Sequence, residues 1–227
     1  MECWIAKKGT LFGPLFGNLA KTRIRAPHEV RRRQNLVQAR FPKLGCGKAE
    51  KSALSAGMEI RLLRESDSVE AINALLQASY RALADAGMNF SAATETTEET
   101  RENIADGECY LGLLEDRTVA TVVLRVATGL EKPRTFDVHW YNCAGVANFG
   151  RLAISPEYQR QGLASQLMDH IETRARHLGF TELALDTSEN AKHLIELYAR
   201  RGYRQVDHHQ WPGKTYRSVI MSKQLAG

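Results

Sequence analysis

Gln159, Gly162 and Ala164 stand in the spacing Q-x-x-G-x-A, between a run that reads as a strand and a run that reads as a helix. A chain that turns tightly from strand to helix leaves the first helical N–H groups without internal partners, beside the positive end of the helix dipole. That arrangement attracts anions, above all phosphate. Gly162 removes the Cβ that would hold a pyrophosphate at a distance, and Ala164 keeps the approach narrow. The stretch is not a P-loop, because the G-K-S/T ending is missing. Nor is it a dinucleotide fingerprint, because the remaining glycines are missing.

Other groups able to do chemistry are scattered. His139, Glu157 and His208 qualify as proton acceptors by residue type alone, and each such residue is more often solvated or packed. A chain of waters, or an amine that arrives neutral, could do without any of them. His208 and His209 are adjacent, so on a strand they point in opposite directions, which argues against a shared metal site. No metal site is expected. Tyr80 falls on an apolar helical stripe, where packing is its first role and facing a substrate its second. The run His139, Trp140, Tyr141, Asn142 could line a pocket or form an edge strand. Packing is favoured, because aromatic side chains usually serve to bury area.

The elements that position these residues follow from periodicity. Residues 58–63 alternate apolar and polar, as a half-buried strand does. Asp67 followed by Glu70 resembles a capping box, and Val69, Ile72, Leu75, Leu76, Tyr80 and Leu83 then recur at helical spacing up to Gly87. Thr96 with Glu99 is a second capping box, opening a short polar helix to about Asp106. Residues 109–114 and 119–124 read as strands joined by a turn at residues 115–118, hence an antiparallel hairpin. A further strand is expected at 136–141. Leu163, Leu167, Ile171 and Leu178 mark a helix ending at Gly179. A strand at 181–186, a helix at 192–201 closed by Gly202, and final strands at 203–206 and 216–221 complete the pattern.

Length and composition bound the rest. The chain has 227 residues, is 43% hydrophobic and 25% charged, and carries a formal charge of +5. These values suit a globular protein with one ordinary domain and an appendage, and they exclude a disordered or membrane-embedded chain. The charge is uneven. Residues 1–57 carry twelve Lys/Arg against three acids, a net of +9, which leaves −4 for the remainder. Nucleic-acid binding is therefore not expected of the body, and the basic segment is read as a disordered, solvated extension. Two other readings of Arg31, Arg32 and Arg33 compete, an arm for anionic surfaces and an organelle-targeting presequence. Met58 is a candidate natural start. Residues 10–20 lack a clean cleavage site, and no run reaches the length of a membrane span. Cys3, Cys46, Cys109 and Cys143 form no C-x-x-C pair, which fits a reducing, cytoplasmic setting.

The run Leu152, Ala153, Ile154, Ser155, Pro156 through Gln159, Arg160, Gln161, Gly162, Leu163 and Ala164 resembles motif A of the GNAT superfamily of N-acetyltransferases. That motif is R/Q-x-x-G-x-G/A after a strand ending V/I-x-P. Leu197, Tyr198, Gly202 and Tyr203 resemble the same superfamily's downstream L-Y-x-x-x-G-F/Y segment. The resemblance covers residues 58 to about 225. It implies an α/β GNAT fold, a mixed, mostly antiparallel and splayed sheet flanked by helices, in a domain over 58–227.

It also implies acetyl-CoA as co-substrate. Backbone groups of Leu152, Ala153 and Ile154 would hold the pantetheine arm and acetyl carbonyl, and amides from Gln159 to Ser165 would cradle the pyrophosphate. The thioester would enter a splay between residues 149–154 and 181–186. Tyr198 would protonate the leaving thiolate. Asn190 would contact the cofactor, although it stands one position further from Tyr198 than the family's commoner spacing. Arg151 occupies a place where some relatives use a glutamate base. The implied activity is acetyl transfer by direct attack of an amine, from a small molecule or a peptide. The chain's own pattern, not the resemblance, puts Tyr80 and His139 forward for the acceptor side. The alternative is a non-catalytic module that binds acyl-CoA as a sensor or partner domain. A homodimer is compatible with either.

Overall fold

In the computed structural model, residues 57–126 and 138–225 are described. The expected disorder of residues 1–57 falls outside them except at Gly57, and so do residues 136 and 137 of the strand expected at 136–141. Along the chain come β1 (Glu59–Leu62), α1 (Val69–Asp85), α2 (Thr97–Ala105), β2 (Glu108–Leu114), β3 (Arg117–Arg125), β4 (Val146–Ile154), α3 (Leu163–His177), β5 (Glu182–Ser188), α4 (Lys192–Arg200), β6 (Arg204–His209) and β7 (Ser218–Gln224). The strands form one sheet in the order β1-β2-β3-β4-β5-β7-β6. Every pairing is antiparallel except β4 with β5, the two strands joined through α3. A parallel pair requires such a crossover, whereas a hairpin does not.

Alternation decides which helices cover which face. On β2, Cys109, Leu111 and Leu113 pack with Ile72 and Leu76 of α1 and Ile104 of α2. Tyr110 and Leu114, one step out of phase, pack with Leu163, Leu167 and Ile171 of α3, and with Tyr198 of α4. Both faces of the central strands are therefore buried, and β2 and β3 read as near-continuous apolar runs. The mixed α/β architecture with a mostly antiparallel sheet expected from the sequence is the one observed.

Several local expectations are corrected. The turn between β2 and β3 contains only Glu115 (φ 48) and Asp116 (φ 63), while Arg117 and Thr118 already belong to β3. Two consecutive residues with positive φ make the tight hairpin turn whose twist matches the strands, so no longer loop is needed. The cap of α1 is Ser68, whose hydroxyl accepts from the Ala71 amide at 3.1 Å. Asp67 is occupied elsewhere, accepting two hydrogen bonds of 2.8 Å from Arg61 and one of 2.7 Å from the Arg64 amide. Thr96 and Glu99 do form the reciprocal capping box. Leu178 is 38% exposed, because it lies just past His177, where Gly179 at φ +85 turns the chain away from the sheet. Residues His139–Asn142 form a 3-10 turn rather than a strand.

Candidate active site

Among the described strands, the one parallel pair opens after three rungs. Val146, Ala147 and Asn148 pair with Glu182, Leu183 and Ala184, and beyond them β4 stays with β3 while β5 stays with β7. The divergence coincides with an irregularity in β4. Arg151 has φ 54, and the register against β3 shifts between Thr121 and Val123. A non-glycine residue held in the left-handed region is costly, and such strain gathers at functional sites.

Past the divergence, the freed edge of β4 is partly capped from α1. The Tyr80 hydroxyl donates to the Leu152 carbonyl at 3.1 Å, and the Ser79 hydroxyl to the Ile154 carbonyl at 2.8 Å. Gln159 Nε2 also donates to the Ile154 carbonyl, at 3.1 Å. The Ser155 amide, one residue on, donates to the Val119 carbonyl of β3. Since alternate strand residues direct their backbone groups to opposite edges, Leu152 and Ile154 present theirs to the gap and not to β3.

At the end of β4, a 3-10 turn at Pro156–Tyr158 leads into Gly162, the N-cap of α3. Gly162 has φ +86, and no side chain caps the helix. A Cβ on Gly162 would meet nothing within 4 Å, so glycine is required there by the backbone angle and not by the protein's own packing. Arg160 also has positive φ (62). No acidic residue lies in the first turn of α3. The helix start therefore offers open amides at the positive end of its dipole, a cradle suited to an anion.

On the other side of the splay lies a cavity of about 330 Å³. Tyr80 and Phe90 wall one end, with ring centroids 5.5 Å apart, and Phe90 continues to Tyr216 at 5.0 Å. Asn148, Arg151 and Asp186 come from the diverging strands, Arg125 from β3, and Trp211 and Lys214 from the link between β6 and β7. Gly150 makes room for the Arg125 guanidinium, since a Cβ there would meet Nη1 at 2.6 Å. Asp186 accepts from Tyr141 at 3.2 Å, from Trp211 Nε1 at 3.1 Å and from Ser218 at 2.9 Å. Arg151 pairs with the buried Glu95 at 2.9 Å, and Glu95 also accepts from Thr100 at 3.0 Å.

Tyr198 lines this cavity from α4. Its ring packs edge-on to Phe149 (6.3 Å) and Tyr203 (6.0 Å). Its hydroxyl makes no hydrogen bond with a described residue. Burial raises its pKa well above the ordinary phenol value, and the neighbouring Tyr80 and Asp186 add to the rise. Burial likewise pushes the Tyr80 phenol up to about 12, against a lowering by Arg151.

Of the residues singled out in the sequence, Tyr80, Leu152 and Tyr198 meet in the cavity, and Ala153 and Ile154 continue the same strand. Gln159, Arg160, Gln161, Leu163, Ala164 and Ser165 surround Gly162 at the α3 start. Gln159 turns its side chain inward as a brace, and Gln161 does so toward the Glu157 carbonyl at 3.2 Å. Asn190 is exposed in the turn before α4 and lies away from the cavity. His139 is exposed on its 3-10 turn and does not line the cavity. Glu157 is paired with Arg117 at 3.4 Å on the surface, and His208 meets Gln205 at 3.0 Å on β6. The three proton acceptors proposed by residue type are thus absent from the cavity walls.

Sequence reasoning missed Asp186, Glu95, Asn148 and Lys214. Asp186 carried a signal, an acid near the C-terminal end of an apolar strand, which is where open α/β sheets place ligands. Glu95 and Arg151 carried none, because nothing local couples residues so far apart in the chain. Among the described residues, no group of three or more His, Cys, Asp or Glu is placed to hold a metal, and no helix is long and apolar enough to cross a membrane.

The model of the acetyltransferase (GNAT) family matches residues 69–203, more than half of the chain. This chain belongs to that family. An S-(2-succino)cysteine N-acetyltransferase of Bacillus subtilis (strain 168) is 28% identical over 167 residues, which cover 73% of this chain and 94% of that protein. Among solved structures, this GNAT chain resembles the ribosomal-protein-S18-alanine N-acetyltransferase of Escherichia coli. The TM-score is 0.56 at 16% identity, over 75% of this chain and 95% of the other. It also resembles a GNAT acetyltransferase of Elizabethkingia anophelis with acetyl-CoA bound, with a TM-score of 0.53 at 15% identity over 74% and 99%. At these identities the structural likenesses establish the fold. Within that fold, the GNAT sheet of this chain has its splay between β4 and β5.

Proposed function

We propose that this GNAT chain is an N-acetyltransferase that moves the acetyl group of acetyl-CoA to the amine of a small molecule by direct attack. The observation that carries this reading is the splay. It connects an uncapped helix start at Gly162, suited to a pyrophosphate, with a walled cavity into which the unbonded hydroxyl of Tyr198 faces. The span from Gln159 to Ser165 would hold the diphosphate. The gap-facing amides of Leu152 and Ile154 would hold the pantetheine arm and polarise the acetyl carbonyl.

In this scheme the neutral amine attacks the carbonyl carbon, a C–N bond forms and the C–S bond breaks. The nitrogen's surplus proton leaves to a carboxylate or water of the cavity, and the departing thiolate takes a proton from Tyr198. A phenol whose pKa is raised by burial stays protonated at neutral pH, as an acid must. Arg151 is committed to Glu95 and is not a base. The partly walled cavity of about 330 Å³ favours a small acceptor over a folded protein surface. The buried thiol of Cys109, outside any disulfide, fits a cytoplasmic place of action.

The test is calorimetric titration with acetyl-CoA, followed by acceptor-dependent thiol release over a panel of amines. The panel begins with S-(2-succino)cysteine, the compound in the name of the Bacillus relative. Binding together with acceptor-dependent release of CoA is the expected result. Absence of binding at millimolar acetyl-CoA would overturn the reading, and binding with no turnover across the panel would favour the non-catalytic module.

A further inference from the structure

Two charges in the cavity have only neutral partners. Asp186 accepts from a phenol, an indole and a hydroxyl, and among the described residues no cation forms an ion pair with it. Lys214 Nζ donates to the Asn89 carbonyl and the Ser91 hydroxyl, both at 2.8 Å, which leaves its third N–H uncommitted. No described carboxylate pairs with Lys214. Both residues line the same cavity, yet they do not pair with each other. An unneutralised carboxylate and an unneutralised ammonium lining one partly open cavity form the complement of a zwitterion.

A second observation points the same way. Two buried polar atoms on cavity-lining residues lack any partner, Asn148 Nδ2 and Arg151 Nε, and both are donors. Asn148 is 2% exposed and stands at the last rung before the strands diverge. Buried donors left unsatisfied are costly, so the missing group is an acceptor. The acids of the neighbouring groove lined by Glu95, Glu99, Glu102, Arg151 and Lys214 do not supply it. Glu95 is committed to Arg151, Glu99 accepts from its own helix cap at Thr96, and the exposed Glu102 forms no ion pair with a described residue. Burial, and next the charge of Arg151, lower the Lys214 pKa, as expected of cations crowded without a counter-ion.

We infer that the acceptor is a zwitterionic amino acid, its ammonium set against Asp186 at the mouth of the splay and its carboxylate against Lys214, Arg151 and Asn148. The inference rests on the acetyl-transfer reading and adds the acceptor's class to it. Asp186 then positions the nitrogen beside the thioester and receives the first proton, giving the free amine that attacks. A ligand carboxylate satisfies the orphan donors and neutralises Lys214. A cationic polyamine leaves both unsatisfied and adds charge.

The experiment uses the full chain with saturating acetyl-CoA and matched acceptor pairs that differ only by the carboxylate: L-norvaline with butylamine, L-methionine with 3-(methylthio)propylamine, and L-phenylalanine with phenethylamine. Spermidine serves as a cationic control. The expected result is a kcat/KM at least tenfold higher for the amino acid in the preferred pair, and no turnover advantage for spermidine. In Lys214→Met the ratio within that pair falls toward one, chiefly through a higher KM for the amino acid, and acetyl-CoA affinity reports whether the variant is folded. Amines acetylated as well as or better than their amino acids would overturn the inference and leave acetyl transfer standing. So would a pair ratio that Lys214→Met does not change, or an absence of any amino-acid turnover. Failure to bind acetyl-CoA would remove the acetyl-transfer reading and this inference with it.

Discussion

Replacing Tyr198 with Phe removes one oxygen from the cavity wall and little else. The ring keeps its edge-on contacts with Phe149 and Tyr203, and the hydroxyl has no hydrogen bond with a described residue to lose, so no described buried partner is orphaned. Deleting a polar group under those conditions changes stability by only about 0.5 kcal/mol. Acetyl-CoA affinity should stay within roughly twofold, because the amides at the α3 start and along β4 are untouched. Catalysis should not be spared. A positioned general acid contributes about 10²-fold or more, equivalent to about 2.7 kcal/mol of barrier. The assay is kcat from thiol release at saturating acetyl-CoA, with calorimetric Kd and a urea midpoint on the same preparations. The pH profile adds a check. The acid form is the active one and burial raises the phenol pKa, so the alkaline limb from this group lies above the ordinary phenol range and kcat does not fall through it near pH 9. A kcat for Tyr198→Phe within threefold of wild type would refute the assignment.

Gly162→Val should weaken acetyl-CoA binding by tenfold or more. It forces a β-branched residue to φ +86 at a cost of about 1–2 kcal/mol and points carbon at the anion cradle, and calorimetry would register both effects. An affinity equal to wild type would show that the diphosphate lies elsewhere. Glu95→Ala should lower unfolding free energy by about 3 kcal/mol in urea melts, since it strands the Arg151 guanidinium, whose side chain is 19% exposed, without its counter-charge. The double variant Glu95→Ala/Arg151→Met should recover most of that loss. At low pH, Asp67 adds a defined signature. Arg61 holds its carboxyl at about 2, below the usual 3.8, so its contribution is present above about pH 4 and is lost as pH falls toward 2. Stability measured from pH 5 to 2 should therefore fall less steeply in Asp67→Asn than in wild type. The difference should be small, because the pair is screened by solvent.

Local physics made much of this protein legible. The Q-x-x-G-x-A spacing placed an anion cradle at Gly162, because a left-handed glycine before a helix is a property of a few consecutive residues. The Thr96 and Glu99 cap and the α3 stripe from Leu163 to Ile171 were equally local. Expectation failed where two local options competed. Ser68 took the cap because Arg61, arriving from β1, claims Asp67. Leu178 kept the stripe's spacing but fell beyond the helix that would have buried it. The strand expected through His139 gave way to a 3-10 turn whose Tyr141 hydroxyl reaches Asp186 on β5.

By itself the sequence determined the proposed donor side of this protein, an α/β chain with a tight strand-to-helix turn, because an anion cradle is built from consecutive backbone amides and needs no distant partner. The proposed acceptor side was decided only in three dimensions. Asp186, Lys214, Asn148 and Arg151 come from two diverging strands and a loop, and the three charged groups and the Asn148 amide become satisfied or stranded only when the sheet brings them together. Burial then gives those charges their force, since an ammonium or carboxylate without a partner counts for little in water and for much in a closed cavity.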